Sequence, residues 1–67
     1  MNEIESTKKM AVKAHIYTHP GTHPGDVARD LGISYLLALY HCKQLALAGE
    51  IEMRRQRKEF RLYPAGE

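Results

Sequence analysis

The hydrophobic period of this chain changes once, at Gly49. Upstream, apolar residues recur at three- and four-residue intervals; downstream, in "EIEMRRQRKEFRLY", they alternate. Such a chain is expected to place its helices first and a strand pair last. Sixty-seven residues suffice for one domain, expected to span the whole chain with short flexible ends at about 1–5 and 64–67. A domain of this size buries only about 60% of the surface its unfolded chain exposes. That leaves little room for a catalytic cleft, and no Ser-His-Asp or paired-carboxylate arrangement can be placed in one. A binding module is expected, and an enzyme is not.

The first helical segment follows Ser6, a candidate N-cap, and reads "TKKMAVKAHIYTH" with no proline or glycine. Met10, Ala11, Ala14 and Tyr17, with Val12 and Ile16, supply its apolar stripe, and Lys8, Lys9 and Lys13 lie away from it. The next stretch, "HPGTHPGD", says His-Pro-Gly twice. Pro20 disfavours the helical conformation at His19, and Gly21 follows as a turn residue, so the first copy stops a helix. Pro24 suits a first helical position, where its missing N–H would be unpaired anyway, with His23 or Thr22 as the cap and Asp26 on the favourable side of the helix dipole. The second copy therefore starts a helix.

Gly32 ends that second helix, Ser34 caps "YLLALYHCKQLALA", and Gly49 closes it. The spacing predicts helices near 6–18, 24–31 and 34–48 and strands near 51–55 and 59–63. Ile16, Val27, Leu31, Ala38, Leu45 and Ile51 are the expected core. Helix two, a short turn and helix three make a helix-turn-helix. In the strands, Ile51 and Met53, then Phe60 and Leu62, alternate with polar neighbours.

The net charge is only +2, but between Met53 and Arg61 five cations (Arg54, Arg55, Arg57, Lys58 and Arg61) face Glu59 alone. A hairpin with this basic tip is where a polyanion would dock; the bland reading is a solvated loop whose charge aids solubility. Metal is a separate question, since His19, His23, His41 and Cys42 are suitable ligand types. The chain has no paired ligand spacing such as Cys-x2-Cys with a second pair, and the proline turn keeps His19 and His23 off a common helical face. No metal or other cofactor is expected. Cys42 reads as a small core residue and His15 as a packing-edge residue of helix one. No apolar run approaches the roughly eighteen residues that span a bilayer, and the N-terminus lacks a signal-type apolar region. No membrane partner is expected, and a lone cysteine fits the cytoplasm.

"DVARDLGIS", then helix three, then "LALAGEIE", resembles the pattern of small bacterial and archaeal winged-helix transcription regulators, from Val12 to about Tyr63. The placing of Tyr40 and the "LAG" of Leu47 to Gly49 are similar to the FaeA-like fimbrial regulators. The resemblance implies an α+β winged helix-turn-helix fold with double-stranded DNA as partner. Helix three would lie toward the major groove and the wing on the backbone or minor groove. The contact residues would be Ser34, Tyr35, Leu36, Tyr40 and Lys43 on helix three, and Arg54, Arg55, Arg57 and Lys58 on the wing.

Helix three also admits another reading. With Ala38, Cys42 and Leu45 toward the core, Tyr35, Leu36, Leu37, Leu39, Tyr40, Lys43 and Gln44 are left at its edges or outside. A helix apolar nearly all round is normally covered on more than one side. Its leucines would touch either thymine methyls or another protein, including a second copy of this chain. A DNA-binding regulator and a winged-helix interaction module or adaptor therefore both remain open.

Overall fold

Local stop and start signals set most of the element boundaries. The computed structural model describes residues 3–66, with side chains from Thr7 onward. In chain order it contains α1 (Glu3–Thr18), α2 (Pro24–Leu31), α3 (Tyr35–Leu47), β1 (Ile51–Gln56) and β2 (Glu59–Pro64). Among the described residues no helix is long and apolar enough to cross a membrane.

The α2 boundaries match the expected ones. His23, in extended backbone, accepts the Gly25 N–H on its imidazole Nδ1 at 2.9 Å, and Pro24 occupies the first turn. At the other end Gly32 is left-handed (φ 67°) and the Ile33 N–H reaches back to the Ala28 carbonyl at 3.0 Å. The end of α3 repeats that closure: Gly49 has φ 76° and the Glu50 N–H reaches Leu45 O at 2.9 Å. Both sites satisfy late helix carbonyls through a backbone conformation that glycine adopts without a Cβ penalty. Ser34 starts α3 by accepting the Leu37 N–H on Oγ at 3.1 Å.

Helix α1 begins three residues before the expected Ser6, so Ser6 lies within the helix and is not its cap. No proline or glycine in residues 3–6 interrupts the pattern. Its buried stripe is also narrower than expected: Val12 and Ile16 are fully buried, whereas Met10 is 70% exposed and Tyr17 is exposed. Two residues spaced i, i+4 are enough to seat a helix on so small a core.

Val12 and Ile16 meet Val27 and Ala28 of α2, Ala38, Cys42 and Leu45 of α3, and Ile51 and Leu62 of the hairpin. Each fully buried aliphatic side chain contributes about 1.5–3 kcal/mol. Leu31, expected in the core, is only half-buried and packs against its edge with Ile33, Ala46 and Met53. His41 is 2% exposed and belongs to the interior of α3.

The hairpin is antiparallel, in register from Ile51 opposite Pro64 to Gln56 opposite Glu59. One face carries Ile51, Met53, Arg55, Phe60, Leu62 and Pro64; the other carries Glu52, Arg54, Gln56, Glu59, Arg61 and Tyr63. Pro64, assigned above to a loose end, is the last residue of β2 and is buried. The loop between the two prolines also joins the sheet. Thr22 forms an antiparallel bridge to Leu62, with Leu62 N–H to Thr22 O and Gly21 N–H to Leu62 O both at 2.8 Å. The His-Pro-Gly repeat thus ends one helix, begins the next, and pairs with the hairpin in between.

Candidate nucleic-acid interface

Register divides the wing cations into two groups. Arg54 and Arg61 stand directly opposite each other on one face, where like charges repel. Each is matched by an acid two residues away on its own strand: Arg54 Nη2 to Glu52 Oε2 at 3.2 Å and Arg61 Nη2 to Glu59 Oε2 at 2.8 Å. The Arg54 guanidinium also lies 4.3 Å from the centre of the Tyr63 ring, a cation–π arrangement. Arg61 Nη1 donates to the Gly21 carbonyl at 3.3 Å, and Gln56 donates to the Tyr63 hydroxyl at 3.2 Å. This face ties the wing to itself and to the proline loop.

Arg55, Arg57 and Lys58 belong to the second group. Arg57 and Lys58 are the two-residue turn, Arg55 lies beside Phe60 on the opposite face, and all three are exposed. Among the described residues none of the three forms an ion pair. Arg57 holds φ 60°, the one non-glycine residue with positive φ among those described. The four wing residues predicted above thus differ in their contacts: Arg54 is paired with Glu52 and the Tyr63 ring, and Arg55, Arg57 and Lys58 form no ion pair among the described residues.

On α3, Ala38, His41, Cys42 and Leu45 face inward. Leu36 (75% exposed), Tyr40 (50%), Lys43 and Leu47 (83%) form a row on the opposite side, spaced four, three and four residues apart. Tyr35 flanks that row, and its ring stacks on His23 with centroids 6.4 Å apart. This contact joins the start of α2 to the start of α3. Ser34 is committed as the N-cap. Leu47 is not in the predicted set: it lies in the last turn of the helix, and as an apolar residue without a hydrogen-bonding group it carries no signal for base contact.

Elsewhere the polar contacts fasten helices together. Lys13 Nζ and Glu50 Oε1 pair at 2.6 Å, which holds the Glu50 carboxyl below its usual range and the Lys13 ammonium above its own. The Tyr17 hydroxyl donates to the Glu50 carbonyl at 2.7 Å, so α1 grips the start of the wing. His15 Nε2 lies 2.9 Å from Asp30 Oδ2, and this hydrogen bond, with Arg29 nearby, lowers the Asp30 pKa. The His15 and His19 rings stack at 4.6 Å. Burial pushes the Cys42 thiol up to about 11, which makes it a poor nucleophile at neutral pH. Among the described residues no three His, Cys, Asp or Glu side chains converge in a way that would hold a metal ion.

Three helices followed by a two-stranded antiparallel hairpin, with α2 and α3 joined through a left-handed glycine and a serine cap, define a winged helix-turn-helix domain. Several solved structures are similar to it in fold. The multiple antibiotic-resistance repressor (MarR) of Listeria monocytogenes 4b F2365 superposes with a TM-score of 0.78 at 21% identity, covering 87% of this chain and 40% of that one. FabT of Streptococcus pneumoniae, solved in complex with DNA, gives 0.77 at 19% identity, covering 90% of this chain and 43% of FabT. Protein BT2368 from Bacteroides thetaiotaomicron gives 0.82 at 16% identity, covering 92% and 76%. At these identities the likeness is one of fold, and the chain spans about two fifths of the MarR and FabT chains. No family model and no curated protein matches the sequence, and the FaeA-like resemblance finds no confirmation among these structures.

Proposed function

We propose that this chain is a DNA-binding transcription regulator that docks α3 toward the major groove and the tip of its wing on the phosphate backbone or in the minor groove. The observation that carries the reading is the cation set Arg57 and Lys58 at the turn and Arg55 near the end of β1, exposed at the tip of a hairpin that follows a helix-turn-helix and bound to no acid among the described residues. Side chains already paired to carboxylates would surrender those partners on meeting phosphate; among the described residues these three have none to lose. Their contacts would each release counterions, while Arg54 and Arg61 stiffen the strands that present them. The likeness of fold to MarR, and to FabT in its DNA complex, supports the same assignment.

A fluorescence titration against random duplex at several salt concentrations tests it. Three phosphate contacts give a slope of log K against log salt of about −2.7. Binding that is absent at low salt, or flat with salt, would overturn the reading. The exposure of Leu36 and Leu47 favours one other function, a winged-helix interaction module that buries this row on a protein. Sedimentation on the same samples separates the two.

A further inference from the structure

Direct reading of bases by hydrogen bonds needs donors and acceptors, and the outward row of α3 offers few. Leu36 and Leu47 have none, Tyr40 has its hydroxyl, Lys43 has its ammonium, and exposed Gln44 beside the row adds one amide. In the major groove the apolar group that distinguishes one base from the others is the thymine 5-methyl. Leu36 and Lys43 are seven residues apart, or roughly 10 Å along the axis at 1.5 Å per residue. That length matches about three base pairs at 3.4 Å each.

We propose, building on the DNA-binding reading above, that α3 selects its site through thymine methyls. Leu36 and the Tyr40 ring cover methyl groups on neighbouring base pairs, and Lys43 takes an acceptor edge, guanine O6 or N7, beyond them. Charge favours DNA over protein as the occupant of this row. Helix α3 contains no carboxylate and Lys43 is its one charged residue, so nothing on it repels phosphate. The acidic and basic flanking pairs that fix helix-to-helix docking are also missing from it.

The test enriches sites from random duplex with the intact chain at fixed salt, then replaces each thymine of an enriched site, one at a time, by deoxyuridine, which lacks only the methyl. The expected result is about fourfold weaker binding for each contacted methyl removed, at one to three adjacent positions. Leu36→Ala is the matched variant, and Leu36 is exposed enough to be replaced without touching the core. It should bind the thymine site more weakly and show no further loss when the thymine it faced becomes uridine. Equal affinity for thymine and uridine sites at every position, with the salt slope intact, would overturn methyl readout and leave DNA binding standing. Failure to bind duplex at any salt would overturn both. Concentration-dependent self-association that Leu36→Ser abolishes, with DNA affinity unchanged, would assign the row to a second copy and overturn the proposal.

Discussion

The two ends of the hairpin are made from the same two strands, yet they answer to different surroundings. At the root, Ile51, Leu62 and Pro64 are buried, Leu62 is bonded through its backbone to the proline loop, and Glu50 is held by Lys13 and Tyr17 of α1. At the tip, Gln56 to Phe60 are exposed, and Phe60 is 41% accessible although it occupies the same face as Leu62. A two-stranded hairpin is marginal in water on its own. The root therefore supplies the stability and the tip is free to carry charge. Side-chain type alone does not assign these roles, since an aromatic residue sits at the free end and a proline at the anchored one.

Leu62 and Phe60 give the sharpest way to break that comparison. Leu62→Ala should cost about 2–5 kcal/mol, because the cavity opens in the middle of the core and the surrounding helices collapse only partly. Against a total of about 3–10 kcal/mol expected for a chain of this length, that is a large fraction. Phe60→Ala, two residues nearer the tip, should cost well under half as much. Urea unfolding of the two variants decides it. Equal losses would mean that the tip is anchored by a contact absent from this arrangement.

The second effect is read in DNA binding. Arg55→Ala, Arg57→Ala and Lys58→Ala combined should remove about 2.7 from the magnitude of the salt slope while leaving the urea midpoint nearly unchanged. Between 50 and 200 mM salt those contacts alone account for about a 40-fold loss of affinity. Arg54→Ala with Arg61→Ala should do the reverse, loosening the wing through the lost Tyr63, Glu52, Glu59 and Gly21 contacts and changing the slope less. If the paired arginines carry the larger share of the slope, the division of the wing into structural and tip cations fails.

That division was not legible in the sequence, whereas the division into elements was. Pro24, Gly32, Ser34 and Gly49 act through local backbone chemistry, and each marks its boundary in the structure. Register is different in kind: it places Arg54 against Arg61 and Arg55 beside Phe60, and a run of basic residues reads the same whichever residues face each other. The Thr22 and Leu62 bridge joins positions forty residues apart, so no local pattern announces it. In α1, Met10 and Val12 are both apolar candidates, and only contact with α2 and α3 decides that Val12 goes inside. Helix α3 is apolar on almost every side, yet Ala38, Cys42 and Leu45 were legible as its inward face; His41, a polar residue among them, was left to be fixed by packing.

The smallest expected effect bears on why the tip has the sequence it does. Arg57 sits at φ 60°, a left-handed conformation that costs a residue with a Cβ about 1–2 kcal/mol and costs glycine almost nothing. Arg57→Gly removes that strain, although the more flexible unfolded chain takes back about 0.4–1 kcal/mol. The net expectation is a gain of between about 0 and 1.6 kcal/mol in urea unfolding. The same change deletes one tip cation, so the salt slope of DNA binding should become shallower by about 0.9. A variant that is more stable and binds DNA less tightly would show that strain at the turn is kept for the sake of the contact, as expected where function and stability compete for one position. A variant that gains stability and keeps the parent slope would place Arg57 outside the interface and leave Arg55 and Lys58 to carry it.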